Sequence, residues 1–541
     1  MGIELRSGRE SFVPTPTELA IQQLPRNLRR YVVTQDYAAY TPRDQAVWRH
    51  IMRRLRDHLA DKAHPSYLDG LAATGIGTER IPSLDEMNVK LAALGWSAVA
   101  VRGFIPPAVF TEFQALGVLA IAADIRDHEH IDYTPAPDIV HESAGHAPIL
   151  ANARYAEYLR RAGHAGFRAI ASIEDEAVFR AIRNLSILEE DPTAVPHRVE
   201  LAKEQLSAAK ASRRYVSENA KASRLYWWTA EYGLIGSGER PHIYGAGLLS
   251  SIGEAEQCLS SGVEKIPLSI RCIDTDYDIT HMQPQLFVAR DFDHLFEVLS
   301  AFEASLAYTR GGDFGLEQAL AARTVNHLVL SDGLELTGRV VERVSAGWPI
   351  APPQLGTALA RLQGPVLTSR GGRALSRPIT DDVLVCFGPG QPVPDEGPFD
   401  VEFSSGLRVT GFATGGGAVV NLGAHLAGRP LELPRSTHLF TSHGLPSVAG
   451  GPADPETWDR WFGDLDALVQ GGGEARARAE KARALDGELA ALYEEVRRMR
   501  EKRTKSRDRL KAILERASHW PGDWLLRSEI EELLGSSRHA A

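Results

Sequence analysis

The segment Tyr133–Leu150, YTPAPDIVHESAGHAPIL, constrains this chain most, because it places two histidines five residues apart behind two prolines. Asp138 can accept hydrogen bonds from the backbone N–H groups that follow it, so we expect a short helix to begin there. On an ideal helix of about 3.6 residues per turn, five residues turn through roughly 140°. His141 and His146 would then point to different sides of the helix.

Gly145 and Pro148 predict that the helix ends beside the second histidine. That end would let His146 turn back toward His141. The spacing differs from the HExxH pattern of zinc proteases, whose histidines are four residues apart and need no break. Two histidines on a short helix more often have capping or core roles than metal-binding ones, so a metal site needs a third ligand.

A candidate third ligand is Glu231, in the hydrophobic segment Leu225–Leu234, LYWWTAEYGL. A carboxylate among Trp227, Trp228 and Tyr232 is costly to bury without a partner, and a metal ion is a suitable partner. Two imidazoles and one carboxylate form the set that binds Fe(II) and leaves positions open for oxygen and substrate. The alternative is an ordinary helix whose glutamate faces solvent or pairs with an arginine.

Three segments of the chain resemble the signature segments of the pterin-dependent aromatic amino acid hydroxylases, and they occur in the same order. They are YTPAPDIVHESAGHAP at 133–148, YWWTAEYGL at 226–234 and YGAGLLSSIGE at 244–254. The similarity extends from about Arg26 to about Thr309 and is strongest to bacterial, phenylalanine hydroxylase-like members. It implies a mainly α catalytic domain in which His141, His146 and Glu231 are the catalytic metal ligands.

The resemblance also implies a reaction. Fe(II) and a tetrahydropterin cosubstrate together split O2, and one oxygen atom is added to the ring of an aromatic amino acid. Ile279 and Trp227 favour L-phenylalanine as the substrate and tyrosine as the product. Leu119 and Ala120 depart from the aromatic residues of the animal enzymes, so hydroxylation of tryptophan, or of another ring carbon of phenylalanine, stays open.

The remaining site residues follow from the same resemblance. Substrate binding is expected at Arg126, Thr134, Ser250 and Trp227, and pterin binding at Gly103, Ile105, Phe110 and Glu142. A guanidinium can hold the substrate carboxylate through two parallel hydrogen bonds, and an aromatic ring can stack on the flat pterin. Glu254 is expected to orient the imidazole of His146.

Composition limits the class of protein and its surroundings. The chain has 541 residues, and about 150 residues per domain suggests three or four units. The net charge is −10, and positive and negative residues are mixed along the chain, so no basic region that would bind nucleic acid is predicted. Three widely spaced cysteines indicate a reducing cytoplasm rather than a disulfide scaffold. No run of 18 apolar residues occurs, so no membrane partner is expected.

The predicted organisation has four parts. A polar N-terminal arm covers 1–25, and the catalytic hydroxylase-like domain covers 26–312, with a helical insertion at about 173–223. A small β-rich domain, sandwich or barrel, covers 313–450, because short alternating runs flank Asp332–Gly333 and Ser405–Gly406.

The fourth part, 451–541, is predicted to contain a long helix. Its seam alternates spacings of four and three and is interrupted by polar Arg503 and Ser506; the apolar positions are Leu485, Leu489, Leu492, Val496, Met499, Leu510 and Ile513. This a/d pattern is compatible with a coiled coil that joins subunits into a homo-oligomer, or with a helix that packs on its own chain.

Two other functions fit the same residues. A zinc hydrolase could use the same three ligands with Glu142 as general base. A catalytically inactive core could serve as a scaffold for the β domain and the C-terminal helix. Metal dependence and pterin dependence distinguish these hypotheses from the oxygenase.

Overall fold

The computed structural model of the protein describes residues 14–535 with internal gaps. The undescribed residues within this span are 129–130, 132–137, 191–193, 237–239, 280, 332, 346–357, 376, 388–393, 395, 403–406, 415–417, 427, 431–436, 442–444, 446, 451–484, 486, 503 and 505. Within the described part, no helix is both long enough and apolar enough to cross a membrane.

Helices dominate the first 320 residues and return near the C-terminus. The α-helices are α1 Pro16–Gln23, α2 Arg26–Arg29, α3 Pro42–Leu59, α4 Ser66–Ala73, α5 Leu84–Leu91, α6 Pro107–Ala115, α7 Ala147–Ile149, α8 Ala153–Arg168, α9 Ile173–Glu190, α10 Pro196–Ala211, α11 Glu218–Tyr226, α12 Ala246–Ser250, α13 Ile252–Gln257, α14 Phe292–Glu303, α15 Ala307–Arg310, α16 Gly312–Ala322, α17 Gly487–Glu501, α18 Arg507–Ala517 and α19 Trp524–Leu534. Short 3₁₀ helices cover Tyr37–Ala39, Ala92–Leu94 and Ile270–Asp274, and π-helical turns cover His141–His146 and Trp227–Glu231.

Within the described residues, the strands form three sheets. They are β1 Ser97–Val101, β2 Val118–Ala122, β3 Leu234–Ile235, β4 His242–Ile243, β5 Glu264–Pro267, β6 Gln285–Ala289, β7 Val325–Val329, β8 Leu334–Ser345, β9 Ala358–Arg370, β10 Arg373–Ala374, β11 Val383–Phe387, β12 Glu396–Glu402, β13 Leu407–Thr414, β14 Ala418–Leu426, β15 Arg429–Pro430, β16 Thr437–Thr441 and β17 Ser447–Gly450.

Helix α3 is the central support of the catalytic region. Thr41 and Asp44 form a reciprocal capping box at its start, and Pro42 occupies its first turn. Its predicted apolar face is buried, including Val47 and Ile51. The same large core cluster contains residues from α4, α5, α8, α12, α13 and α14. The core therefore lies directly beneath the segments that carry the candidate ligands.

Two small sheets border the site. Strands β1 and β2 pair in parallel, with Ser97 opposite Val118, and α6 is the connection between them. This unit holds the loop from Arg102 to Pro106 at the end of β1. The second sheet has the order β4–β3–β6–β5, and β3 follows the π-helical turn that ends at Glu231.

The N-terminal segment departs from the predicted arm, which is wrong for residues 16–23. These residues form α1, which begins with a capping box between Thr15 and Glu18. Ala20 and Leu24 are buried in a cluster with residues of β1 and α6. Apolar burial holds this helix, whereas the polar composition suggested a loose segment. Residues 1–13 lie outside the described residues.

The predicted insertion contains a helical hairpin made of α9 and α10. Val178, Leu185, Ala202 and Leu206 pack together between the two helices. Pro196 is the first residue of α10, as expected for a proline at a helix start. The predicted break at 191–192 lies outside the described residues. The hairpin was expected to pack outside the core, but α9 also borders the central cavity described below.

The region after α16 contains an 11-stranded sheet. Its main order is β12–β13–β14–β16–β11–β9–β8–β7–β17, with β10 and β15 paired at the side. Strands β7 and β8 form the predicted antiparallel hairpin, and so do β12 and β13. In the described part of the chain this order has two ends, so the strands do not close into a barrel.

The predicted long C-terminal helix is wrong, because the described tract consists of three shorter helices. The break between α17 and α18 falls in the polar run 502–506, KRTKS, where no apolar residue is available for burial. Leu492, Val496 and Leu510 are buried in the core cluster that contains α3. The a/d seam therefore packs on its own chain.

Two buried arginines fix these helices to the catalytic region. Arg49 of α3 donates to both carboxylate oxygens of Glu529 of α19, at 2.7 and 2.9 Å. Both side chains are at most 4% exposed. Arg500 of α17 approaches the same carboxylate at 3.4 Å. The C-terminal helices therefore share a buried ion-pair network with α3.

Candidate functional site

The two histidines lie on one π-helical turn, His141–His146. A π-helix joins residues five apart by hydrogen bonds, so residues at this spacing lie one turn apart on the same side. The expected helix end at Gly145 is therefore wrong, since Ala147 continues in helical conformation. A Cβ atom at Gly145 would lie 2.6 Å from the carbonyl oxygen of Ala246, so this glycine permits the close approach of α12.

Glu231 reaches the histidines from a second π-helical turn, Trp227–Glu231. Its Oε2 lies 3.2 Å from Nε2 of His141, and its Oε1 lies 3.1 Å from Nε2 of His146. The two imidazole rings are nearly perpendicular, with centroids 5.0 Å apart. One potential ligand atom from each of the three residues falls within 4.8 Å of the others.

The hydrogen bonds around the imidazoles suit a cation. Ser250 donates its hydroxyl to the carbonyl of Ala246 at 2.7 Å, so it can accept from Nδ1–H of His141 at 3.0 Å. That tautomer leaves the Nε2 lone pair of His141 directed at the cluster. Neither ring nitrogen of His146 makes a hydrogen bond within the described residues, although the ring is 1% exposed. Buried, unbonded imidazole nitrogens beside a carboxylate fit a metal ion.

The charges of these groups are strongly coupled. Burial lowers the pKa of His141, but the Glu231 carboxylate outweighs burial and raises that pKa to about 9. Burial raises the pKa of Glu231, but His146 and His141 outweigh it and hold that pKa well below its usual range. Burial also raises the pKa of Glu142. A cation bound here would replace the protons that otherwise balance the carboxylate charge.

The predicted hydrogen bond between Glu254 and His146 is not formed. Nδ1 of His146 and Oε1 of Glu254 both lack hydrogen-bond partners among the described residues. Glu254 lies in the first turn of α13, where its backbone N–H donates to Ser251 Oγ, and burial raises the pKa of its carboxyl to about 7. Among the described residues, Glu254 therefore makes no hydrogen bond that orients the imidazole of His146.

Arg126 is buried beside the metal cluster, but its main partner is a carboxylate of the chain. Its Nε and Nη2 donate to the two oxygens of Asp138, both at 2.8 Å, and the side chains are 2% and 5% exposed. Its Nη1 donates to the carbonyls of Ile131 and Ser250 at 3.4 and 3.3 Å. Asp138 also accepts from the backbone N–H of His141. One carboxylate thus orients both the guanidinium and the first histidine.

A mostly apolar cavity of about 350 Å³ adjoins the cluster. Its walls include eight of the predicted site residues: Gly103, Ile105, Phe110, Arg126, Glu142, Trp227, Ser250 and Ile279. His141 and Glu231 face the same cavity. Thr134 lies outside the described residues. The structure therefore brings together residues from segments more than one hundred positions apart.

One wall of the cavity is an aromatic stack. The ring of Trp227 lies between those of Tyr232 and Tyr277, with centroid distances of 4.4 and 4.3 Å. Both ring pairs are stacked, with centroids slightly closer than the range of about 4.5–7 Å that is usual for aromatic pairs. The stack forms a rigid, flat wall, and its central ring, Trp227, lies on the same π-helical turn as the candidate ligand Glu231.

The sequence analysis missed several cavity residues, among them Tyr226, Phe179 and Ile182. Tyr226 packs edge-to-face on Phe110 with a centroid distance of 5.8 Å, and Gln114 donates to its hydroxyl. Phe179 and Ile182 of α9 also border the cavity. Their spacing of three residues on a helix could have indicated a shared face, but only tertiary packing shows what that face meets.

The chain thus presents a buried site with two histidines and one carboxylate, open to an aromatic-lined cavity that also contains an arginine. A family model for biopterin-dependent aromatic amino acid hydroxylase matches residues 29–178 and 205–324. The phenylalanine-4-hydroxylase of Pseudomonas aeruginosa is 31% identical over 261 residues, which cover 48% of this chain and 82% of that protein. That of Chromobacterium violaceum is 29% identical over 288 residues, which cover 53% and 82%.

The protein belongs to the biopterin-dependent aromatic amino acid hydroxylase family. A solved structure of the Chromobacterium violaceum phenylalanine hydroxylase with bound iron(III) and oxidised 7,8-dihydrobiopterin is 28% identical, with a TM-score of 0.41. That similarity covers 54% of this chain and 92% of the other. Both curated matches cover about half of this chain, and the family match ends at residue 324.

Proposed function

We propose that this protein is a monooxygenase that hydroxylates the ring of an aromatic amino acid, and that its principal reaction converts L-phenylalanine to tyrosine. It would use O2, Fe(II) and a tetrahydropterin cosubstrate. The main support for this proposal is the cluster of His141, His146 and Glu231, which borders the same cavity as a buried arginine and an aromatic stack. The names of the two bacterial relatives support phenylalanine as substrate.

The three ligands would hold the iron through two neutral imidazole nitrogens and one carboxylate. This donor set binds Fe(II) and leaves coordination positions open. When bound, the iron and the tetrahydropterin supply the redox chemistry that divides O2 between the pterin and the substrate ring. Ser250 would keep the Nε2 atom of His141 directed at the iron, and the bound cation would take the place of the proton that this imidazole otherwise carries.

Arg126 would bind the substrate carboxylate with the edge of its guanidinium that Asp138 leaves accessible. The Nε/Nη2 edge is occupied by Asp138, so the substrate would use the Nη1/Nη2 edge and replace the two long hydrogen bonds from Nη1 to the carbonyls of Ile131 and Ser250. Asp138 keeps the guanidinium fixed before substrate arrives, which reduces the entropy lost on binding. The stacked Trp227 would then restrain the ring of the bound amino acid and exclude water.

The pterin would lie toward the loop after β1 and the start of α6. The backbone at Gly103 and Ile105 would contact its polar edge, and Phe110 would stack on its ring. Gly103 has a φ of +57°, and a Cβ atom there would meet nothing within 4 Å. We propose that Glu142 reaches the pterin through water.

Two further assignments rest on the sequence. We propose a cytoplasmic location, because the few widely spaced cysteines suit a reducing compartment. Homo-oligomerisation through the C-terminal helices stays a prediction. The buried seam of α17 and α18 is used within the chain, so subunits would have to meet through other faces.

Reconstitution tests this proposal directly. Metal-free protein is loaded anaerobically with Fe(II) or Zn(II), then given O2, a tetrahydropterin and phenylalanine, tryptophan or tyrosine, and products are identified by mass and retention. We expect tyrosine from phenylalanine only with Fe(II) and pterin. His146→Ala should lose iron and turnover together, whereas His197→Ala, on the exposed face of α10, should lose neither. Pterin-independent activity with zinc would instead support a hydrolase, and no turnover would support a scaffold.

A further inference from the structure

Arg323 ends α16 in an unusual backbone conformation. Its φ is +60°, and it is the only residue other than glycine that has a positive φ in the described part of the chain. Glycine is preferred at such a helix end, because in this left-handed conformation the Cβ atom of any other residue lies too close to the backbone. An arginine at this position indicates that its side chain makes a contact that offsets the strain.

The contact is with the start of α9. Arg323 donates from Nη2 to Oε1 of Glu174, the second residue of that helix, whose side chain is 8% exposed. Arg214 approaches the same oxygen at 3.5 Å, but its side chain is 70% exposed, whereas that of Arg323 is 32% exposed. The next residue, Thr324, donates its hydroxyl to the carbonyl of Ala171 at 2.7 Å. The end of α16 therefore holds the segment in which α9 begins.

The link between α8 and α9 is also held by the sheet region, which comprises α15, α16 and strands β7–β17. Ile170 is buried in one apolar cluster with Leu328 of β7 and Val448 of β17. Glu218 of α11 is 5% exposed. Its Oε2 accepts from the backbone N–H of Ile170 at 3.1 Å, and its Oε1 accepts from that of Ala307 in α15 at 2.7 Å. The link is therefore fixed both to the sheet region and to α11.

Helix α9 connects these contacts to the central cavity. Its residues Phe179 and Ile182 border the cavity. Glu174 and Phe179 are five residues apart, about 7.5 Å along a helix that rises about 1.5 Å per residue, so a shift at the start of α9 moves this wall. The family match omits 179–204 and ends at 324. The contacts thus join a cavity wall and a sheet that the family model does not cover.

We propose that Arg323 is a positioning residue for the hydroxylase site, through which the sheet region holds α9 against the cavity and raises the affinity of the cavity for its ligands. The inference rests on the proposed function and adds a role for residues beyond the family match. Without the pair of Arg323 and Glu174, α9 leaves this position part of the time. Ligands then bind only the fraction of molecules in which the wall is in place, which weakens their apparent affinity.

Hydrogen exchange tests whether Arg323 holds α9. Arg323→Gly removes the contact with Glu174, while glycine adopts the left-handed conformation without strain, so the variant should fold. In the full-length protein, followed by mass spectrometry, the amides of α9 should exchange about three- to tenfold faster, as for the loss of one hydrogen bond. The amides of α3 should exchange at an unchanged rate. Arg323→Lys keeps the charge and should restore slow exchange in α9.

Arg343 provides a matched control, because its ion pairs lie within the sheet region. It contacts Asp313 at 3.0 Å and also Glu317, both on α16, and its side chain is 19% exposed. Arg343→Ala removes an arginine and its ion pairs beside α16 but no contact with α9. The exchange of α9 should therefore stay as in the unmodified protein.

Ligand binding tests whether the position of α9 matters at the site. Isothermal titration calorimetry with 7,8-dihydrobiopterin is carried out on anaerobic, iron-loaded protein, so that no turnover occurs. Arg323→Gly should bind this pterin about three- to tenfold more weakly, and Arg343→Ala as tightly as the unmodified protein. In turnover, Arg323→Gly should raise KM and leave kcat nearly unchanged, because the metal ligands are untouched. A loss of folded protein alone would lower kcat and leave KM unchanged.

Unchanged exchange of α9 in Arg323→Gly, or equally faster exchange in Arg343→Ala, would overturn the inference. So would faster exchange combined with unchanged pterin affinity. Glu174→Gln breaks the same pair if Arg323→Gly does not fold, as judged by circular dichroism. If the unmodified protein does not bind the pterin, the proposed function fails, whereas the exchange results still decide whether Arg323 holds α9.

Discussion

The ion pair between Arg126 and Asp138 allows a quantitative test of how this site is organised. Both side chains are almost fully buried, and the carboxylate accepts two hydrogen bonds of 2.8 Å from the guanidinium. Asp138→Asn keeps the shape but removes the charge, so Arg126 stays buried without its counter-ion. Removing one partner of a buried ion pair lowers the free energy of unfolding by about 3–5 kcal/mol. Because the amide oxygen of asparagine can still accept a hydrogen bond from Arg126, we expect a loss of about 3 kcal/mol for this variant.

The chain offers a matched control on the β sheet. Arg408 binds both oxygens of Asp400 at 2.8 and 2.6 Å, in the same two-point geometry, but these side chains are 56% and 49% exposed. Asp400→Asn removes the same charge and weakens the same two hydrogen bonds, but at a site that is exposed to solvent. Exposed pairs contribute little to stability, so this variant should melt close to the unmodified protein.

Thermal unfolding followed by circular dichroism checks the difference. At about 2–4 °C per kcal/mol, Asp138→Asn should lower the melting temperature of the catalytic region by about 6–12 °C. The same variant should raise KM for the amino acid more than it lowers kcat, because Arg126 loses its fixed orientation. If both variants shift the melting temperature equally, burial does not determine how much an ion pair stabilises the protein, and the reasoning fails.

Three other variants test separate parts of the structure. Glu231→Gln should lose bound iron, measured by elemental analysis of reconstituted protein, and full retention would exclude this carboxylate as a ligand. Burial raises the pKa of Glu112 to about 7, so its proton is held more tightly when folded, and the stability it contributes should decline between about pH 4.5 and pH 7. Glu112→Gln should flatten that decline in urea unfolding, and an unchanged slope would contradict the assignment. Glu529→Gln leaves Arg49 without its buried counter-ion and leaves Arg500 with the more exposed Glu532, so it should cost about 3 kcal/mol, seen as a lower melting temperature. No change would indicate that the C-terminal helices do not depend on this network.

Local sequence patterns predicted the helices and several strands. The face of α3 follows from apolar residues at intervals of four, and its start follows from Thr41 and Pro42. The hairpin of β7 and β8 follows from two alternating runs around a turn. These features depend on neighbours along the chain, and local backbone preferences are enough to specify them.

Patterns of the same kind misjudged the N-terminal segment and left the partner of the C-terminal seam open. The polar N-terminal segment forms α1 because a few apolar side chains find a buried surface. The C-terminal seam has coiled-coil spacing but packs on α3. An apolar stripe predicts burial without specifying the partner, because periodicity carries no information about which surface will cover it.

By itself, the sequence determined which side chains can act: two histidines, one glutamate, an arginine and the aromatic residues around them. Tertiary structure decided how they meet. The π-helical turns align residues five apart, Asp138 occupies one edge of Arg126, and the insertion closes the cavity with α9. These outcomes depend on contacts between segments distant in the chain, whose free energies arise from close packing and burial rather than from local conformational preference.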